Sequence, residues 1–196
     1  MDVFEAMETC RAIRYLKPDP VPEELLRKLV HAATRASSPG NSQGWEFVLV
    51  QERSRKERIA KAIREGCPTP PEVDGADPVT RRMVRGAMHL IDHLADMPVI
   101  VFVCGRNAYP PEAPLKRFVW STVYPAAQNL IVAARALGLG SAFTTLHEFA
   151  EPTIRDTLEI PDEVFLGVTI PVGFPARPFG PLARKPIDDV LHWDGW

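Results

Sequence analysis

The chain is predicted to fold as a single α+β domain spanning residues 1–196. Its length suits one domain with a sizeable buried core. Its composition, 45% hydrophobic and 24% charged residues, is typical of globular proteins. Apolar runs typical of buried strands alternate irregularly with helical patterns in the order α, α, β, α, α, β, α, β, tail. That order favours a mixed α+β architecture over a regular βαβ alternation.

The N-terminal third predicts two helices and a loop. Residues 2–10 predict a short helix, because their apolar side chains recur on one side. Pro22, Glu23 and Glu24 start a second helix, since proline tolerates the first turn and acids suit the positive end of the helix dipole. This helix ends in the polar loop of residues 37–44.

The central part predicts two buried strands with charged helices between them. Trp45–Val50 (WEFVLV) is a strand by composition, and residues 97–104 (MPVIVFVC) form a second one. Residues 53–65 predict a charged surface helix and residues 80–93 another helix. The intervening residues 66–79 are rich in proline and glycine, which predicts a loop.

The longest predicted helix covers residues 116–137, and its Ala-rich second half predicts burial in the core or at a subunit contact. The glycines of Gly138-Leu139-Gly140 end it as a C-cap, because a dinucleotide-binding loop would instead follow a strand. A strand-like piece at residues 142–145 and a short helix at 152–158 follow. The third buried strand covers residues 164–172. The Pro-rich tail, residues 173–196, is predicted to be extended, with one turn at 187–191.

Charge and cysteine content exclude several classes of protein. The net charge of -2 gives no field that would attract nucleic acid or an anionic membrane surface, so neither partner is expected. The three cysteines, an odd number without metal or redox spacing, predict a reducing compartment. No apolar leader follows Met1 and no stretch is long enough for a bilayer. We therefore expect a cytoplasmic protein.

Two weak motifs have simpler explanations. His89 and His93 are four residues apart, which is metal-ligand spacing, but the metalloprotease pattern is absent and surface histidines are the better interpretation. Cys10 beside Arg11 has the setting of a reactive thiol, yet a small packing residue is the better interpretation. No metal site and no catalytic acid–base residue is predicted.

The strongest functional signal lies between Arg11 and Trp45. Arg11 and Arg14 are three apart and can converge on one phosphate with the bidentate geometry of guanidinium groups. The loop before Trp45 carries hydroxyls, amides and freed backbone N–H groups, which suit a polar ring. A phosphorylated flavin is a cofactor that needs both features.

The order of these motifs resembles that of the FMN-dependent nitroreductase superfamily, which includes iodotyrosine deiodinase and a flavin-cleaving branch. The resemblance spans nearly the whole chain. It rests on six segments in the same order as in that family. These are CRAIR (10–14), PVP (20–22), SSPGNSQGW (37–45), the helix from QNL to GLG (128–140), FTT (143–145) and RKP (184–186).

The resemblance implies a central, mostly antiparallel sheet flanked by helices, in an intertwined homodimer with an extended C-terminal arm and FMN at the interface. It assigns the FMN phosphate to Arg11, Arg14 and Arg184. The backbone of Ala12 and Ile13 would assist them.

The remaining assignments concern the flavin and its ribityl chain. The resemblance places Ser38, Pro39 and Asn41 of the partner subunit along them. It also places Thr144 and Thr145 against the isoalloxazine ring, where a hydrogen bond tunes the redox electronics.

The resemblance further implies a ping-pong oxidoreductase in which NADPH or NADH reduces the flavin and a nitroaromatic, quinone or similar small acceptor reoxidises it. Two alternatives remain open: a flavin carrier or sink without turnover, and a deiodinase-like reductive dehalogenase. Cys10 stands where the family carries another arginine, and Ala12 replaces a serine. Both departures remove polar contacts that the family uses.

Overall fold

The computed structural model describes residues 1–68 and 72–196, so part of the predicted 66–79 loop lies outside the described residues. The helices are α1 (Val3–Thr9), α2 (Glu23–Ala33), α3 (Arg53–Gly66), α4 (Pro78–Asp92), α5 (Arg117–Ala136) and α6 (Glu151–Leu158). The strands are β1 (Trp45–Val50), β2 (Val99–Arg106), β3 (Gly140–Ser141) and β4 (Val164–Gly173). The predicted α+β class is confirmed.

The four strands form one sheet in the order β1-β2-β4-β3, and every neighbouring pair is antiparallel. The long strands β2 and β4 occupy the centre of the sheet, and helices must pack on both faces to bury their apolar side chains. Helices α2 and α5 cover one face, and α3, α4 and α6 cover the other. Because side chains alternate along a strand, β2 supplies both cores. Val99, Val101 and Val103 face α5, whereas Ile100, Phe102 and Cys104 face α3.

A β-bulge at Gly167 changes the face of the sheet from which the even-numbered side chains of β4 project. The register with β2 passes over this residue. Leu166 before it packs in the α3 core, and Val168 after it packs in the α5 core. A Cβ on Gly167 would lie 2.5 Å from Val123 Cγ1 on α5. Glycine at the bulge therefore allows α5 to pack directly on the sheet.

Two predicted strand boundaries were wrong. The strand predicted at 142–145 is displaced to β3 and a single bridge from Thr144 to Thr169, and Phe143 lies between these two paired segments. The second strand begins at Val99 rather than 97, because Pro98, which precedes it, has no N–H for the ladder. The helix ending at Gly138 is confirmed, since that residue has φ of 77°.

A buried histidine links stability to pH. His147 is 1% exposed, and its Nδ1 lies 3.1 Å from Thr169 Oγ1. Burial lowers the pKa of His147, although Glu148 and Glu151 oppose the shift. The unfolded chain therefore binds a proton more readily than the native one, and stability is lost as the pH falls below the unfolded pKa of about 6.5.

We expect the melting temperature to fall between pH 7 and 5.5, with up to about 1.4 kcal/mol lost per pH unit below 6.5 from this residue. The variant His147→Gln, which keeps a group able to hydrogen-bond Thr169, should show a fall smaller by about 3–6 °C per pH unit. Calorimetric scans of both proteins at matched ionic strength measure the difference. Identical pH profiles would show that His147 does not carry this dependence.

Within the described ranges, no helix combines the length and the apolar character needed to cross a membrane.

Candidate functional site

The predicted phosphate-binding segment, residues 11–14 (the Arg11 segment), is fixed at the edge of the sheet. The N–H of Ile13 donates to the carbonyl of Ser141 at 2.8 Å, and Ala12 forms a parallel bridge with the same residue. On the other side, the N–H of Ala176 donates to the carbonyl of Tyr15 at 2.9 Å. The segment thus lies between β3 and the chain that follows β4. Since the Ile13 amide is used in the sheet, Ile13 anchors the segment and has no free N–H for a phosphate.

Four arginines line a cavity of about 240 Å³ beside this segment: Arg11, Arg14, Arg82 and Arg177. Among the described residues, none of the four forms an ion pair with a carboxylate. Burial and the neighbouring Arg11 lower the pKa of Arg14, which remains a cation at neutral pH. The cavity is therefore a strongly positive site whose charge the described side chains do not neutralise.

Helix α4 closes one wall of this cavity through a close approach. A Cβ on Gly86 would lie 3.2 Å from Cδ of Arg14, so glycine lets the helix touch the arginine stem. Arg82 lies one turn earlier on the same face of α4 and so reaches the same cavity. The predicted pair Arg11 and Arg14 is brought together, and α4 adds a third cation.

A second cavity, of about 480 Å³, adjoins the first through Arg14. Its walls are mainly apolar, with Met83 and Phe143 among them, and Thr144 and Thr145 supply hydroxyl groups. The Thr144 hydroxyl donates to the carbonyl of Thr169 at 2.7 Å, which fixes its orientation. The cationic cavity and the largely apolar cavity with its two threonines are thus neighbours, and Arg14 belongs to the walls of both.

Arg184, also predicted to bind the phosphate, lines a neighbouring cavity of about 750 Å³ together with Cys10. Its Nη1 donates to the carbonyl of Ala183 at 3.0 Å. The Cys10 thiol lies 3.5 Å from the carbonyl of Ile131, and burial raises the pKa of this thiol against the opposing effect of Arg135 and Arg184. Cys10 is therefore a packing residue and not an activated thiol.

The loop carrying Ser38, Pro39 and Asn41 lies at the other end of the sheet. It leads into β1 where Trp45 pairs with Gly105, at the end of β2. The Arg11 segment pairs with β3, beside the start of β2. The two groups are thus separated by roughly the length of β2, about 23 Å. The structure does not bring them together within one chain.

This distant loop has a fixed shape. The Ser38 hydroxyl accepts a hydrogen bond from the N–H of Gln43 at 3.0 Å. Gly40, Asn41 and Gln43 all have positive φ, between 50° and 56°. Glycine and asparagine tolerate this conformation, which turns the Asn41 side chain to the surface.

A family model supplies the decisive comparison. The nitroreductase family model matches residues 8–174, which include the Arg11 segment, the Ser38 loop and both threonines. The chain belongs to the nitroreductase family. Its fold and its class as an oxidoreductase enzyme follow from this membership.

The similarity of this chain to other family members extends along its whole length. A protein of Methanothermobacter thermautotrophicus, whose name proposes NADH dehydrogenase/NAD(P)H nitroreductase activity, is 31% identical over 199 residues, covering 100% of this chain and 88% of the relative. Iodotyrosine deiodinase, solved with FMN and 3-iodo-L-tyrosine, superimposes with a TM-score of 0.79 at 20% identity over 100% of both chains. An FMN- and NADPH-dependent nitroreductase from Sphigopyxis sp. strain HMH does so with a TM-score of 0.75 at 21% identity, also over 100% of both.

Sequence reasoning assigned no phosphate contact to two cations of the arginine-lined cavity. Arg82 follows Arg81 in the basic start of α4, where helical spacing to Gly86 was the available signal. Arg177 lies in the Pro-rich segment after β4 and carried no local signal. It joins the cavity because the segment after β4 runs beside Tyr15, a contact between residues far apart in sequence.

The histidine pair has a structural role. The Arg177 guanidinium lies 3.8 Å from the ring centroid of Tyr15, and that ring stacks on His89 at 4.0 Å. His93 follows at 4.5 Å. The expectation of two solvated histidines was wrong for His89, which is half-buried in this stack. In the described part of the chain, no group of three or more His, Cys, Asp or Glu residues could hold a metal ion.

Proposed function

We propose that this chain is an FMN-dependent oxidoreductase in which NADPH or NADH reduces the flavin and a small acceptor, such as a nitroaromatic or a quinone, reoxidises it. The observation that carries the proposal is the pair of neighbouring cavities that share Arg14 in their walls. A dianionic phosphate suits the arginines of the first, and a largely apolar ring suits the second. FMN presents these two groups at opposite ends of one molecule.

The residues of the chain bind and orient the cofactor. Arg11 and Arg14 hold the phosphate with charge-assisted hydrogen bonds. Arg184 adds positive charge from the neighbouring cavity. Thr144 and Thr145 lie along the ring, and the apolar walls around them exclude water. When bound, the flavin supplies the hydride and electron chemistry, so the protein needs no acid–base residue of its own.

The functional unit in this proposal is a homodimer. The exposed face of α5 carries Tyr124, which is 44% exposed, although the opposite face of the helix lies at the centre of the core. The C-terminal arm leaves Trp193 81% and Trp196 fully exposed. Apolar surfaces of this kind mark an interaction site. A second copy would cover them and bring its own Ser38, Pro39 and Asn41 to the flavin held by Arg11.

All three cysteines are free. This supports the cytoplasm, a reducing compartment, as the location proposed for the enzyme.

Anaerobic spectroscopy tests the redox proposal. Purified protein should be yellow, or become so on adding FMN, and NADPH or NADH should bleach the flavin band. A nitroaromatic or quinone should then restore it. A protein that takes up no FMN would exclude the cofactor assignment. A yellow protein that neither nucleotide bleaches would exclude this reaction and leave the flavin carrier and the dehalogenase.

The fold similarity to iodotyrosine deiodinase supports a second candidate, reductive dehalogenation. Two electrons from the reduced flavin and a proton would replace the iodine of an iodophenol by hydrogen and release iodide. Release of iodide from 3-iodo-L-tyrosine by the dithionite-reduced protein would favour this reaction. Turnover of nitroaromatics without iodide release would exclude it.

A further inference from the structure

The arginine cavity holds more positive charge than the phosphate of FMN requires. A phosphomonoester carries about −1.5 to −2 charges at neutral pH. Arg11 and Arg14 already balance it. Arg82 and Arg177 line the same cavity and are left without a carboxylate partner in the described part of the chain. Four crowded cations repel one another, so a site of this composition indicates a second anion.

The two surplus arginines lie where a ligand arriving from solvent would meet them. Both are exposed, as is Arg11, whereas Arg14 is half-buried. Arg82 projects from α4 opposite the Arg11 segment. Arg177 stacks on the ring of Tyr15 at 3.8 Å, which fixes the guanidinium plane and leaves its edge N–H groups free. A rigid fork of this kind suits the oxygens of a phosphate.

The nature of the second anion follows from the proposed reaction, on which this inference rests. A resident cofactor occupies the buried end permanently, but the hydride donor must enter and leave. The two nicotinamide nucleotides differ by one phosphomonoester on the adenosine ribose. We infer that Arg82 and Arg177 bind the 2′-phosphate of NADPH and so make NADPH the preferred hydride donor over NADH.

The test compares Arg82→Gln and Arg177→Gln with the unchanged holoenzyme. Each variant should lower kcat/KM for NADPH by about 10- to 100-fold, because a charge-assisted hydrogen bond contributes about 1.5–3 kcal/mol. The same constant for NADH should change less than about twofold. Arg85→Gln removes a cation from the same helix outside the cavity and should change neither constant.

Calorimetry provides a readout independent of turnover. The FMN-loaded protein should bind 2′,5′-ADP, a fragment with the same phosphate, more tightly than 5′-AMP. Arg82→Gln and Arg177→Gln should abolish this difference and leave the flavin content, measured by absorbance, unchanged. The fragment result stands whether or not the variants turn over.

Three outcomes would overturn the inference and remain distinct from failure of the proposed function. Equal losses with NADH and NADPH would show a general effect on the site. Loss of FMN in either variant would show that the arginine replaced there serves the flavin phosphate. Reconstitution with FAD in preference to FMN would assign the second anion to the diphosphate of the cofactor. In each of these outcomes the unchanged protein still carries a flavin.

Discussion

Replacing Arg14 by methionine is expected to raise the Kd for FMN by about 10- to 100-fold, since charge-assisted bonds to the phosphate are lost. The same substitution is expected to leave the stability of the FMN-free protein unchanged or higher. Arg14 is half-buried beside Arg11, and both burial and that neighbour lower its pKa. A methionine fills similar space without an unpaired charge.

The opposite signs of the two effects make this variant informative. Fluorescence titration of flavin-free protein measures the Kd, and calorimetry of the same sample measures stability. Arg27→Met is the matched control, because Arg27 is exposed on α2 and paired with Glu23 at 2.7 Å. It should change neither quantity appreciably. An FMN affinity of Arg14→Met within twofold of the original would place the phosphate elsewhere.

Removing residues 186–196 is expected to dissociate the proposed dimer and to release FMN. Burying a large apolar side chain contributes about 1.5–3 kcal/mol, and this segment carries five of them exposed. These are Ile187, Val190, Leu191, Trp193 and Trp196. Loss of even two contacts should raise the dimer dissociation constant more than a hundredfold. The truncated chain retains Arg184, so the expected loss of FMN would come from the missing partner loop.

Sedimentation analysis of the intact and shortened chains, each with its flavin content, checks this expectation. Ser38→Ala with Asn41→Ala in the full-length chain is the companion variant. It should weaken FMN binding without changing the mass of the particle. A shortened chain that remains dimeric and yellow would show that the arm is dispensable, and a monomeric intact chain would exclude the two-subunit site.

The sequence predicted the regular elements well because their signals are local. β1 was predicted with its observed bounds, and α3 and α5 within one residue at each end, from apolar runs, helical spacing and the glycine stop at Gly138. β3 was misplaced because its two small residues, Gly140 and Ser141, have no strand signature. They pair only because neighbouring strands present free backbone groups, and composition does not record that property.

The candidate site was predictable in part. Arg11, Arg14, Thr144 and Thr145 lie around the two neighbouring cavities, where motif order suggested a flavin. Arg184 lies in a neighbouring cavity, because the chain contacts Arg11 through the carbonyl of Pro181 and then runs on past Cys10. Contributions made by α4 and by the segment after β4 depend on contacts between distant parts of the chain, which no single motif encodes.

The extra residue at Gly167 makes β4 unequal in the length changes that it can accept. Deleting Gly167 would leave Val168 directly after Leu166, and regular alternation would keep Leu166 in the α3 core and Val168 in the α5 core. Deleting Thr169 would instead turn the rest of the strand over and move Ile170 toward α3. Loss of a single residue from β4 should therefore disturb the two cores least at the bulge.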